Sequence, residues 1–330
     1  MPKPPFRADH VGSLLRPNQL GDARKEWQEG KLSKDDLIDL ENKHIKDAIK
    51  RQENIGLKVI TDGEYRRDYW HLDFISGFEG INLNEETYGH AFSGGGTVAT
   101  FTIDGKIGNH SGDMRDHFSF LSANTGETAK FCIPGPGMTH LRSGRSAISM
   151  EAYPDLVHYW PDLIRAYSDE IKKLAELGCS YLQIDDVSFA YLCDKKFRGD
   201  IIARGDNPDE LLIQYARALS DSIANRPKSM TVTTHMCRGN FKSTYMTSGG
   251  YEAVAERMFD ELKVDGYFME YDSDRAGGFE PLKYIPNDTK VVLGLITSKT
   301  PELENKDDIK RRIDEAANYI DMDQICLSPQ

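Results

Sequence analysis

The chain has 330 residues, 39% of them hydrophobic, enough for one large α/β barrel or two ordinary domains built around a sizeable core. A formal net charge of −12 argues against a nucleic-acid surface, which needs clustered Lys and Arg, and no apolar run approaches the roughly 18 residues that span a bilayer. These exclusions leave a small-molecule ligand as the expectation, with neither nucleic acid nor membrane as a partner.

The start, Met1-Pro2-Lys3-Pro4-Pro5, is followed by no apolar signal segment. The five cysteines, Cys132, Cys179, Cys193, Cys237 and Cys326, are odd in number and widely spaced, unlike a secreted disulfide framework. Reduced thiols and a cytoplasmic location are expected.

In chain order, Ala8–Val11 reads as a first strand. Between Ser33 and Gly56, the spacing of Leu37, Leu40, Ile45 and Ile49 predicts a helix, with Ser33 and Asp36 as its start and Gly56 as its stop. The strand Leu57–Asp62 follows at once. The stretch 77–130 interrupts the rhythm, and its alternating run Thr97–Ile103 after Ser93-Gly94-Gly95-Gly96 predicts an inserted β-hairpin, a candidate lid or a surface decoration. After the strand Phe131–Ile133, helix and strand alternate. Helices over Asp162–Leu177, Glu210–Ala224 and Tyr251–Leu262 lead into the strands Ser180–Asp185, Met230–Thr234 and Gly266–Met269. The strand Val291–Leu295 comes next, and the helix Asp307–Ile320 precedes Gln324–Leu327.

Eight short apolar strands alternating with amphipathic helices predict a parallel (β/α)₈ TIM barrel, a single catalytic domain over 1–330 with chemistry at the C-terminal strand ends. A doubly wound sheet fits less well. Gly135-Pro136-Gly137-Met138-Thr139-His140 lacks the third glycine of a dinucleotide fingerprint, and no P-loop occurs.

Polar groups gather where the strands end: His10-Val11-Gly12-Ser13, Asp62-Gly63-Glu64, Asp185-Asp186, His235-Met236-Cys237 and Glu270-Tyr271-Asp272. Any one of these carboxylates could be a solvated or helix-capping residue. His-x-Cys places both donors on one side of a strand, however, and an acid ending the next apolar strand needs a partner, so His235, Cys237 and Glu270 are candidate zinc ligands. A substrate thiol in the remaining position would be deprotonated at neutral pH, which suits alkyl transfer to sulfur. Glu64 and Asp185 then suit the ammonium of a thiol amino acid. The first strand end, with His10, Gly12 and Ser13, offers groups for substrate binding, the Gly12-Ser13 turn donating to the carboxylate.

Taken together, His10-Val11-Gly12-Ser13-Leu14-Leu15-Arg16-Pro17, Asp62-Gly63-Glu64-Tyr65, Gln183-Ile184-Asp185, Thr234-His235-Met236-Cys237, Met269-Glu270 and Leu327-Ser328-Pro329-Gln330 resemble the cobalamin-independent methionine synthase family, in its single-barrel, C-terminal-domain-like form. The resemblance spans nearly the whole chain. It implies a zinc ion on His235, Cys237 and Glu270, homocysteine held through Ser13, Glu64 and Asp185, and a methyltetrahydrofolate or another methyl donor. The family's last cysteine ligand would fall just after Gln330, so the expectation is a native chain that continues past 330, with Cys326 a more distant substitute. Lys299 stands where the large synthases place a histidine proton donor, and Met138-Thr139-His140-Leu141-Arg142 lacks the tryptophan expected beside a pterin. Both departures concern the donor side. The competing readings are a zinc-dependent alkyltransferase using another thiol or an epoxide, a metal-free decarboxylase of the porphyrinogen decarboxylase type, and a non-catalytic zinc-binding barrel.

Overall fold

The computed structural model describes residues 3–88, 98–240 and 243–330. Nine strands occur among them: β1 (Val59–Ile60), β2 (Ile81–Tyr88), β3 (Val98–Ile103), β4 (Thr128–Pro134), β5 (Tyr181–Asp185), β6 (Thr231–Met236), β7 (Gly266–Glu270), β8 (Lys290–Ile296) and β9 (Ile325–Pro329). Seven of them form one parallel sheet in the order β1-β4-β5-β6-β7-β8-β9. The N-terminal segment supplies the eighth stave. Asp9 N–H donates to the Leu327 carbonyl at 3.0 Å, Leu327 N–H to Arg7 at 2.9 Å, and on the other side Leu14 N–H donates to Gly63 at 3.1 Å. The sheet thereby curls into the expected (β/α)₈ barrel. The first stave is less regular than its sequence suggests, pairing with its neighbours through the isolated bridges Ala8–Leu327 and Ser13–Gly63 instead of a continuous ladder.

The helices follow from local signals. Lys34–Asn54 begins where the Ser33 side chain accepts from Asp36 N–H and stops at Gly56, whose φ of +87° a side chain would resist. Tyr159–Glu176 ends before Gly178 at φ +93°, and Pro208–Ile223 opens on an Asn207 cap with proline in its first turn. Ala255–Glu261 and Lys306–Ala316 complete the later crossovers, while between β7 and β8 only the 3₁₀ turns Asp274–Ala276 and Glu280–Tyr284 stand in for a helix. No helix among the described residues is long and apolar enough to cross a membrane.

The predicted insert is present. β2 and β3 pair antiparallel, Ile81 opposite Ile103 and Leu83 opposite Phe101, in the connection leading from the end of β1. Ile81, Ile103 and Ile107 anchor its base in the core. Ser93-Gly94-Gly95-Gly96 lies outside the described residues.

The barrel interior is layered. Phe268, Val292 and Cys326 pack together with Val11, and Phe6, Val59 and Tyr181 form a second group. Between them lies a fully buried ion pair, Lys130 Nζ to Asp9 Oδ1 at 3.1 Å, with Tyr181 donating to Asp9 Oδ2 at 2.9 Å and the Lys130 ammonium 4.0 Å from the Phe268 ring centre. This charged layer forms the floor beneath the strand ends.

Candidate active site

Register brings the candidate residues to one end of the barrel. Asp185 pairs with His235 across β5 and β6, and Met236 with Met269 across β6 and β7, so one step further Cys237 stands beside Glu270. Met236 and Met269 are buried on the opposite, helix-packed side, so His235, Cys237 and Glu270 share the inner face, as His-x-Cys spacing requires.

Glu270 is fully buried and held by cations. Its Oε2 accepts the Arg238 backbone N–H at 2.7 Å, Arg275 donates to Oε1, and Lys299 Nζ lies 3.7 Å from Oε1 and 3.6 Å from Asp272 Oδ2. The Cys237 thiol, beside them, receives the Gly239 N–H at 3.2 Å. Burial, followed by the Glu270 carboxylate, pushes it up to about 12. A thiol so raised ionises only if a cation joins it. The donor set of imidazole, thiol and carboxylate on neighbouring strand ends therefore fits zinc in its chemistry. The three donor atoms are not gathered within 4.8 Å of one another, because Arg275, Lys299 and the Arg238 N–H hold Glu270.

The donor trio that does close to within 4.8 Å among the described residues is Glu64, Cys132 and Asp185. Two adjacent turns build it. Gly12 has φ +108°, and a Cβ there would sit 2.6 Å from Cys132 Sγ; its carbonyl accepts Thr61 Oγ1 at 2.6 Å. Ser13 bridges to Gly63, and Glu64 itself takes the left-handed φ of +60° that non-glycine residues rarely adopt. Asp62 Oδ1 accepts the Glu64 N–H at 2.9 Å and steadies that turn. Arg67, also buried, approaches Glu64 Oε1 at 3.5 Å and donates to the Cys132 carbonyl at 2.5 Å. Burial raises the Glu64 carboxyl to about 7, against the pull of Arg67 and with the help of Asp185 and Asp62. Burial likewise pushes the Cys132 thiol well up. The pocket gathers the Glu64 and Asp185 carboxylates, with Arg67 already against Glu64, and offers acceptor oxygens to a ligand that brings donors.

Asp185 joins the two halves of the mouth. Its Oδ1 accepts Gln183 Nε2 at 2.7 Å and lies 3.2 Å from His235 Nδ1, while the other ring nitrogen, Nε2, is 2.8 Å from the Gln330 amide nitrogen. Two expected residues stand apart. His10 is buried with Nε2 on the Val59 carbonyl at 3.2 Å, and burial together with Lys130 lowers it to about 4, so it lies in the floor as a neutral ring. Cys326 packs in the interior layer with its Sγ 3.9 Å from the Pro5 carbonyl, at the opposite end from His235.

Arg67, Cys132, Arg275 and Gln183 were not singled out by sequence reasoning. Gln183 left a readable signal, a polar side chain inside the apolar strand Tyr181–Ile184; the two arginines left none beyond their spacing from Glu64 and Glu270.

Comparison with known proteins follows this geometry. A family model described as the catalytic domain of cobalamin-independent synthase matches residues 6–330. The uncharacterized protein YxjH of Bacillus subtilis is 44% identical over 99% of this chain and 87% of its own length. A Listeria monocytogenes structure, described as a candidate vitamin-B12 independent methionine synthase, is 35% identical with a TM-score of 0.79, covering 99% of this chain and 91% of that one. A B12-independent methionine synthase from Shewanella sp., solved in complex with selenomethionine, shares the fold at 18% identity and a TM-score of 0.74, over 98% of this chain and 89% of that one.

Proposed function

Because the chain belongs to the cobalamin-independent synthase catalytic-domain family, we propose that it transfers a methyl group to the thiol of homocysteine, forming methionine, with zinc held by His235, Cys237 and Glu270. The observation that carries this reading is the union at one barrel mouth of a nitrogen, thiol and carboxylate donor set with a pocket of two buried carboxylates one strand away. Zinc lowers the pKa of a thiol that it binds, which supplies a sulfur nucleophile at neutral pH.

The chain's own residues perform the remaining work. Glu64 and Asp185 receive the amino acid's ammonium, and the Gly12-Ser13 turn, lying against Gly63, presents its groups to the carboxylate. Glu270 is fully buried beside the half-buried Cys237, so the donor set lies mostly out of bulk water. As the methyl leaves its donor, the donor atom takes up a proton, and Lys299, buried beside Glu270 and Asp272, is the ammonium placed to give it. Methyltetrahydrofolate or another methyl donor fills this role. The selenium analogue of methionine bound by the Shewanella protein has the form of such a product. The five unpaired cysteines agree with a cytoplasmic setting.

The test is a zinc-replete preparation given homocysteine and methyl-labelled methyltetrahydrofolate. Labelled methionine is expected, and His235→Ala or Cys237→Ala should abolish it. Absence of label in methionine while homocysteine still adds a Zn–S bond by X-ray absorption would retain the thiol half and replace the donor. No thiol-dependent change at the metal would overturn the reading.

A further inference from the structure

We propose that Asp185 is a positioning residue for His235, so that one carboxylate serves the amino-acid pocket and the metal-binding imidazole at once. This rests on the zinc and amino-acid reading given above and adds to it a physical link between the two sites.

An ionised carboxylate can only accept, so the Asp185 Oδ1 to His235 Nδ1 contact of 3.2 Å places the ring proton on Nδ1. His235 Nε2 then keeps its lone pair. The Gln330 side-chain amide lies 2.8 Å from that atom, so Nε2 is the ring nitrogen turned away from Asp185. His235 thus offers one defined nitrogen as a ligand, and Asp185 decides which.

The carboxylate is itself fixed from below and behind. Gln183, fully buried, donates to Asp185 Oδ1 at 2.7 Å and to the Val11 carbonyl at 2.7 Å, tying Asp185 to the first stave. Asp185 and His235 are register partners on adjacent strands, and Asp186 N–H donates to the His235 carbonyl at 2.9 Å, so backbone as well as side chains set their separation. A carboxylate behind a metal-bound histidine orients the ring and makes its free nitrogen a stronger donor.

Asp185 also lies within 4.8 Å of Glu64 and Cys132 in the pocket that suits an ammonium. A cation entering there draws on the same negative charge that polarises His235. Occupancy of the amino-acid site and affinity at the metal site are therefore linked through one side chain, and linkage of this kind acts equally in both directions.

The experiment measures zinc affinity by competition with a chromogenic chelator, with no amino acid present, and checks folding by thermal melting. Asp185→Asn keeps an acceptor but loses the charge, and it should weaken zinc binding about 10–100-fold. Gln183→Met, which frees Asp185 without removing it, should give a smaller loss in the same direction. At about pH 8, above the value of about 7 to which burial raises it, Glu64→Gln removes a carboxylate charge from the same pocket without touching His235, and zinc affinity should stay within about 3-fold of the parent, below the range expected of an orienting partner. Equal losses in Asp185→Asn and Glu64→Gln would overturn the proposal in favour of a general field effect. Unchanged affinity in Asp185→Asn alongside a loss in His235→Ala would overturn it while leaving the zinc site standing. Unchanged affinity in His235→Ala would remove the zinc reading and this inference with it.

Discussion

At the floor of the barrel, the Lys130 ammonium donates to Asp9 Oδ1 and to the His10 carbonyl, and Asp9 also accepts from Tyr181 and from the N–H groups of Phe6 and His10. At the mouth, Lys299 has carboxylates at 3.6 and 3.7 Å but no hydrogen bond on Nζ, and Gln183 Oε1, Gln330 Oε1 and Arg275 Nε are buried without partners. Both ends bury charge. The floor pairs its ammonium and carboxylate within the chain and leaves a neutral ring atom, His10 Nδ1, without a partner, whereas the mouth leaves a cation, Lys299 Nζ, without a hydrogen bond, as a site that receives a ligand does. The difference separates residues that serve the fold from residues that serve the chemistry.

The sharpest way to break this comparison is at the floor. Lys130→Met leaves Asp9 buried beside Tyr181 without its cation, and should cost about 3–5 kcal/mol in urea unfolding. A loss under about 1 kcal/mol would show that the floor pair is no more structural than a surface ion pair.

Next in size is the pH dependence from Glu64. Its carboxyl is raised from 4.5 to about 7, so the folded state favours the protonated form. The associated stability is complete below about pH 4.5 and is lost as pH rises through 7, roughly 3 kcal/mol for a shift of that size. The difference in urea stability between the parent and Glu64→Gln should follow that window, and methionine binding to the parent should tighten as Glu64 ionises. A flat difference from pH 4.5 to 8 would contradict the burial assigned to this group.

Gly12→Ala comes third. The left-handed φ and the 2.6 Å approach to Cys132 Sγ should together cost about 1–3 kcal/mol, read by the same unfolding curves. The smallest stability effect is expected at Lys299→Met, within about 1 kcal/mol, because Arg275 remains to pair both Glu270 and Asp272. Turnover should nonetheless fall about 10²-fold or more if Lys299 delivers the proton. Unchanged turnover would leave that role to another group.

Much of the framework was legible because it rests on local signals. Ser33 capping its helix, Gly56 and Gly178 ending theirs, and the alternation that sends Met236 outward between His235 and Cys237 all act over a few residues. What the sequence could not reveal was partnership. Lys130, at the end of the 77–130 stretch, gives no sign of its role until Asp9, 121 positions away, is folded against it. Cys132 reads as core packing until Gly12 and Glu64 arrive beside it. His10 was misplaced for a related reason: strand-end reasoning put it at the mouth, whereas its ring turns down to Val59. The hold of Arg275 on Glu270 depends on a 3₁₀ turn that no helical periodicity announces.

The seam between the first and last staves carries a consequence for how the molecule assembles. Arg7 donates to the Ile325 carbonyl across 318 positions of chain, so the ring closes through a loop of nearly the whole chain. Closing so long a loop gives no contact energy until its ends have met, which makes it slow relative to helix and neighbouring-strand formation. During synthesis the Gly12-Ser13 turn can settle against Thr61 and Gly63 and the staves from β1 to β8 can pair in order as they emerge, but the seam with β9 must wait until residues near Leu327 have left the ribosome. Until then Arg7 and Asp9 lack their partners on β9. The mouth around His235, against which the Gln330 side chain rests, is therefore among the last parts of the protein to come into being, and refolding followed by methionine binding should lag behind refolding followed by helical circular dichroism.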